Sequence, residues 1–276
     1  MPYLHVNGAK LYYETQGNGP ETIVFAHGLL WSRRMFDPQV QALRDRYRCI
    51  TFDFRGQGRS EVTAAGYDME TLSDDAAALL QTLVGAPCHF AGLSMGGFVG
   101  MRLAVRYPDL IKSLILMETS ADPEPAENIG RYRLLSFIAR WIGIGIVADK
   151  VMPIMFGQKF LNDPARTQLK QEMKQWLNQN HRVGITRAVQ GVITRVGIYD
   201  DIQRISVPTM IMVGDQDVAT VPAKAERMHA QIAGSQLIII PGAGHTSTIE
   251  EPAAVTVALR DFLARQTAEE RVARNE

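Results

Sequence analysis

The chain has 276 residues, 46% hydrophobic and 21% charged. That composition excludes disordered and fibrous classes and leaves enough apolar surface to build a core without disulfides or metals. Its 29 basic and 29 acidic residues cancel to a formal net charge of +0, which gives no field to steer nucleic acid or an anionic membrane toward it. Neither of those partners is expected, and a small, near-neutral, apolar substrate fits better. The opening MPYLHVNGAK lacks the charged region and apolar core of a signal peptide. No stretch approaches the roughly 18 apolar residues of a membrane span. The two cysteines, Cys49 and Cys88, each sit inside an apolar run and read as buried, reduced thiols. A cytoplasmic protein, monomer or homodimer, is expected.

Short apolar runs alternate with helical patterns, the signature of a doubly wound, mostly parallel α/β sheet with helices on both faces. Residues 3–6 and 10–15 read as a strand pair turned by Asn7-Gly8. Further strands are expected over Thr22–His27, Cys49–Phe54, Cys88–Leu93, Ser113–Met117, Thr209–Val213 and Gln236–Ile240, giving about eight. Helices are expected over Asp68–Val84, Gly96–Tyr107, Pro222–Ile232 and Pro252–Arg265, with a charged tail that frays. The alternation breaks over 121–200, where helical patterns near Asn128–Ile142, Gly145–Met155, Pro164–Asn178 and Thr186–Val196 carry long apolar side chains. That segment reads as a helical cap inserted into a core of 1–120 and 201–276. Gly143, Gly145 and Gly157 read as hinges or as helix ends.

One string carries chemistry. In Gly92-Leu93-Ser94-Met95-Gly96 a strand runs straight into a serine, and a helix follows at once. Small neighbours let such a turn hold Ser94 in a strained conformation above the sheet, near a helix N-terminus that favours developing negative charge. A serine hydroxyl needs a base to act as a nucleophile at neutral pH. Of six histidines, His245 sits best, in Gly242-Ala243-Gly244-His245 just after the last strand. The base needs an acid, and Asp215 and Asp217 both follow strand Thr209–Val213 at its C-terminal end. Asp217 is favoured; Asp215 reads as a tie for the turn, and Glu118 is the outside candidate. Trp31, Met152, Met155 and Phe156 are candidate pocket residues, and Arg33 and Arg34 read as a solvated loop face. No cofactor or metal motif is present.

The order Ser94, Asp217, His245, with His27-Gly28-Leu29 and Asp53-Phe54-Arg55-Gly56-Gln57-Gly58-Arg59-Ser60, resembles the α/β-hydrolase fold family across about 1–120 and 200–276. The resemblance implies an oxyanion hole made by the backbone N–H groups of Leu29 and Met95, and loop-organising roles for His27 and Asp53. Length and the Gly-Leu-Ser-Met-Gly-Gly string are similar to 3-oxoadipate enol-lactonases and small bacterial carboxylesterases, and some acyl-homoserine lactonases share the fold that the chain resembles. Ester or lactone hydrolysis through an acyl-enzyme is the expectation that follows. A cofactor-free perhydrolase or haloperoxidase is an alternative, against which Leu29 stands where those proteins carry an aromatic residue. A hydrolase-fold binding protein or receptor is the other; an intact triad argues against it.

Overall fold

A computed structural model describes residues 2–273, with side chains described through Gln266. Eight strands form one sheet: β1 (Tyr3–Val6), β2 (Ala9–Gln16), β3 (Glu21–Ala26), β4 (Tyr47–Phe52), β5 (Cys88–Leu93), β6 (Ile111–Met117), β7 (Thr209–Gly214) and β8 (Gln236–Ile240). Their spatial order is β1-β2-β4-β3-β5-β6-β7-β8. β1 and β2 pair antiparallel through Asn7 and Gly8, both at positive φ as a tight hairpin turn requires. β2 meets β4 antiparallel, and from β4 to β8 every pairing is parallel.

The parallel strands are buried on both faces, which is why they read as continuous apolar runs. Along β3, Ile23 and Phe25 join one core while Val24 and Ala26 join the other. The first core takes in α1 (Asp37–Leu43) and the long C-terminal helix; the second takes in α2 (Met69–Leu83) and α3 (Met95–Arg106). Asp68 caps α2 by accepting from the Thr71 N–H at 2.8 Å. Cys49 and Cys88 are free and buried.

Between β6 and β7 the chain forms α4 (Ala126–Trp141), α5 (Ile144–Met155), α6 (Gln158–Asn162), α7 (Thr167–Asn178) and α8 (Arg182–Ile193). Gly143 and Gly157 are the N-caps of α5 and α6, so both mark helix ends, while Gly145 lies inside the first turn of α5. α8 begins four residues before the expected start, with the His181 side chain accepting from the Gly184 N–H. Its Gly184 and Gly191 do not break it. A Cβ there would lie 2.1 Å from the Gly56 carbonyl oxygen and 1.8 Å from that of Tyr67, so the glycines let the helix press onto core loops. The chain closes with α9 (Pro222–Gln231), the short α10 (Ser247–Glu250) and α11 (Pro252–Ala273). The end of the charged tail, where fraying is expected, lies outside the described residues. No helix among the described residues is long and apolar enough to cross a membrane.

β3 has β4 on one side and β5 on the other, so the strand order reverses there and opens a crevice at the C-terminal ends. α3 lies close enough over this point that a Cβ on Gly96 would sit 2.0 Å from the Ala26 carbonyl oxygen, and one on Gly92 would sit 2.2 Å from the Gly96 carbonyl oxygen. Gly96→Ala is therefore expected to destabilise the protein by about 1–3 kcal/mol through overpacking. Gly130→Ala is the control: it sits in α4 with nothing within 4 Å, and should leave the melting temperature unchanged or raised. Thermal unfolding of both variants checks the contrast.

Candidate active site

Ser94 follows β5 and caps α3 with φ +53 and ψ −110, a conformation rarely adopted by a side-chain-bearing residue. Its own backbone is fixed on both sides. The Ser94 N–H donates to the Met117 carbonyl at 2.8 Å, and its carbonyl accepts from the Gly97 and Phe98 N–H groups and the Thr119 hydroxyl. The strain is thus held by hydrogen bonds to α3 and to the end of β6 and the residues just after it. The side chain lies at the strand edge with its hydroxyl at 2.9 Å from His245 Nε2.

His245 follows β8 on a loop that folds back over the sheet, and its Nδ1 lies 2.8 Å from Asp217 Oδ2. Asp217 follows β7. Its Oδ1 accepts from the N–H groups of Ala219 and Thr220 at 2.8 and 2.9 Å, and its Oδ2 accepts from the Thr220 hydroxyl at 2.7 Å. Burial by itself would raise the Asp217 pKa, but His245 and the Thr220 donors overcome it and hold the carboxyl below its usual range. An ionised Asp217 favours the imidazole tautomer with Nδ1 protonated, which leaves Nε2 as the acceptor facing the Ser94 hydroxyl. Asp215 points elsewhere, accepting from the Gly242 N–H at 2.7 Å and tying the β7 and β8 loops together.

Leu29 and Met95 leave the ends of β3 and β5, on either side of the crevice. Among the described residues, neither backbone N–H has a hydrogen-bond acceptor, although their neighbours do. The Leu30 N–H donates to Gln57 Oε1 at 3.0 Å, with Leu30 at φ +74, and the Leu30 carbonyl accepts from Asn180. His27 accepts from the Phe54 N–H at Nε2 and lies 2.7 Å from the Gly28 carbonyl at Nδ1. Asp53 accepts from the Arg33 and Arg59 N–H groups. Both side chains bind loop backbone and neither bonds to Ser94 or His245.

A cavity of about 120 Å³ opens on Ser94 and His245. α5 turns Val147, Val151 and Met155 toward it, at helical spacing on one face. Of the four candidate pocket residues, Met155 lines it and the other three do not. Met152 flanks the cavity-lining side of α5 without reaching the cavity and is buried in the core. Phe156 stacks on Phe160 at 4.5 Å, and Trp31 packs edge-on against Phe156 and Trp176. Large aromatic side chains gain more by filling the seam between the inserted helices and the sheet than by facing a solvent-reachable space. Arg33 is mostly buried and pairs with Glu14, whereas Arg34 is exposed.

Glu118, at the end of β6, does not reach His245. It is fully buried at φ +42, and among the described residues neither carboxyl oxygen makes a hydrogen bond of good geometry, with the Ser247 hydroxyl and the Gly214 backbone as nearby donors. Burial pushes its pKa well above the usual value near 4.5; the nearby Ser247 hydroxyl opposes this, and the Asp217 and Glu250 carboxyls add to it. Glu118 therefore stays protonated where Asp217 is charged. Two residues escaped sequence reasoning. Thr220 supports Asp217, and Glu250 accepts from the N–H groups of Gly244 and Thr246, which bracket His245, and of Gly157. The acid four residues beyond Thr246 was the available signal, since a side chain there can reach back to the first N–H groups of its own short helix. No cluster of three or more potential metal ligands occurs among the described residues.

A doubly wound sheet with a serine turn after β5, an imidazole after β8 and a carboxylate after β7 defines a hydrolase-type architecture. The chain belongs to the alpha/beta hydrolase family, whose model matches residues 23–259. The enol-lactonase from Burkholderia xenovorans LB400 superposes with a TM-score of 0.88 at 30% identity, over 95% of this chain and 100% of that one. A thermophilic esterase from Thermogutta terrifontis gives 0.88 at 30% identity, over 96% and 97%. In sequence, 3-oxoadipate enol-lactonase 2 of Acinetobacter baylyi is 26% identical over 272 residues, covering 96% of this chain and 99% of that protein.

An acid whose pKa is higher in the folded chain than in the unfolded one costs stability as pH climbs above the unfolded value. Glu118→Gln cannot ionise, so its melting temperature should gain on the parent as pH climbs above about 4.5, by roughly 2–4 °C for each unit of pKa elevation. A pH-independent difference would count against the protonated acid. Glu250→Ala leaves three N–H groups without their charged acceptor, and should lower stability by roughly 3 kcal/mol and kcat more than it raises KM. Denaturant unfolding and steady-state kinetics measure the two effects.

Proposed function

We propose that this chain, an ester- and lactone-cleaving hydrolase by family, works through an acyl-Ser94 intermediate on a small, largely apolar carboxylic ester or lactone. The observation that carries this reading is the unbroken series Ser94 Oγ–His245 Nε2 at 2.9 Å and His245 Nδ1–Asp217 Oδ2 at 2.8 Å, facing an apolar cavity.

In the acylation step Ser94 Oγ bonds to the carbonyl carbon while its proton passes to His245 Nε2. The carbonyl oxygen becomes an oxyanion beside the Leu29 and Met95 N–H groups, where each donor is worth roughly 3–4 kcal/mol of barrier. Asp217 stabilises the imidazolium and does not take the proton. Collapse breaks the carbon–oxygen bond, and the departing alkoxide takes the proton from Nε2; in a lactone that alcohol stays tethered to the acyl group. Water then gives a proton to Nε2, attacks the acyl carbon and releases the acid as Ser94 recovers its hydrogen. Chemistry of this kind uses no cofactor.

Ser94→Ala should lower kcat on short p-nitrophenyl esters by at least about 10⁴-fold, and Asp217→Asn by a comparable factor through the wrong histidine tautomer. Glu118→Gln should stay within roughly tenfold of the parent, because a neutral carboxyl does nothing for an imidazolium. Persistent turnover by the Ser94 variant would sink the mechanism. A single burst followed by retained ligand in the parent would favour a binding protein instead.

A further inference from the structure

The cavity over Ser94 is lined mainly by aliphatic side chains, with the hydroxyl-bearing Tyr132, Ser136 and Thr186 and one charged pair set into its wall. Arg195 and Glu124 both line it, and Arg195 Nη1 donates to Glu124 Oε2 at 2.8 Å. The Arg195 side chain is 2% exposed. Two of its three nitrogens are occupied: Nε donates to the Asp122 carbonyl, and Nη1 also donates to that of Val192. Nη2 has no hydrogen-bond partner among the described residues. The guanidinium carbon lies 4.2 Å from the centroid of the Phe98 ring, and Phe98 stands one helical turn beyond Ser94 on α3. Tyr132 lines the same cavity, and its hydroxyl likewise has no protein partner among the described residues.

We propose that Arg195, held by Glu124 and Phe98, is a specificity-determining residue that selects esters or lactones carrying a second, uncharged carbonyl a few atoms from the scissile one. The inference rests on the Ser94 hydrolase reading and names the substrate class of that same site. One carbonyl would occupy the Leu29 and Met95 donors, and the second would accept from Arg195 Nη2 and the Tyr132 hydroxyl. The charge arrangement points to an uncharged group. Glu124 already balances the guanidinium, so a substrate carboxylate would be a second anion on one cation, buried and close to Glu124. A keto or amide carbonyl takes the free donor at far lower desolvation cost. An aliphatic acyl chain would instead leave it unmet, and a site built to hydrogen-bond a group discriminates strongly against its absence.

The same pair joins the residues just before α4 to those just after α8, so a purely structural clasp is the competing explanation. A ratio separates them. On p-nitrophenyl pentanoate, p-nitrophenyl 4-oxopentanoate and mono-p-nitrophenyl succinate, the parent enzyme should prefer the oxo ester over the pentanoate by about tenfold or more in kcat/KM. In the double variant Arg195→Met with Glu124→Met that ratio should fall to about one, mainly through KM. Arg195→Lys and Tyr132→Phe, each of which keeps the wall closed, should lower the ratio partway and serve if the double variant does not fold. A parent ratio near one overturns the proposal, as does a ratio that survives the variants while both rates fall together. Preference for the succinate would overturn the uncharged class. If the parent turned over none of the three esters, the hydrolase reading itself would fail; turnover without preference would remove only the role given to Arg195.

Discussion

Everything at the site depends on how closely α3 approaches the ends of β3 and β5. The approach is possible only because Gly92 and Gly96 have no side chains, since a Cβ at either would overlap backbone atoms. With the helix so close, the chain between β5 and α3 has no room for a relaxed turn, and Ser94 takes up a positive φ. That strained turn does two things together. It lifts the hydroxyl to the strand edge, and among the described residues it leaves the Met95 N–H at the helix start without an acceptor, as the Leu29 N–H of the loop after β3 also is. The sheet reverses its strand order between β4 and β5, so these groups face one crevice.

Three buried carboxyls near His245 are kept distinct by their hydrogen-bond partners. Asp217 accepts from two N–H groups and the Thr220 hydroxyl and faces His245, so its charged form is favoured despite burial. Glu250 accepts three N–H groups and acts as a clamp on the histidine loop, with burial still raising its pKa. Glu118 has no partner of that kind and stays neutral. Similar side chains in one small volume thus take three electrostatic roles, because like charges so close and so dry cannot all be carried at once. A protonated Glu118 spares Asp217 a like charge that would push its pKa up.

The five helices between β6 and β7 give the site its walls. Trp176, Phe156 and Phe160 of this segment pack at the seam with the sheet, Trp176 and Phe156 against Trp31 of the loop after β3, while smaller aliphatic residues of α5 and α8 face Ser94. Bulk anchors the helices and branched aliphatics shape the space. The Arg195–Glu124 pair interrupts that apolar wall, with Arg195 stacked over Phe98, one helical turn beyond the serine.

Much of the fold was legible in the sequence by itself: the eight strands, the Asn7-Gly8 hairpin, the helix that follows Ser94, and the interruption of the alternation after β6. The grouping of Ser94, His245 and Asp217 as a candidate site was legible too, because each lies within five residues of the end of an apolar strand, and a parallel sheet brings all such strand ends to one edge. These are local signals, written within a few residues of the feature they specify. Which side chains face the cavity was not legible. Met152 and Met155 share a helix and a chemistry, yet only one faces Ser94, and that depends on the rotation of α5 against α4 and α7. The clamp by Glu250, the neutral state of Glu118 and the free edge of Arg195 depend on backbone groups and charges far away in the chain. Contacts of that kind exist only once the helices have settled on the sheet, so the tertiary structure alone decides them.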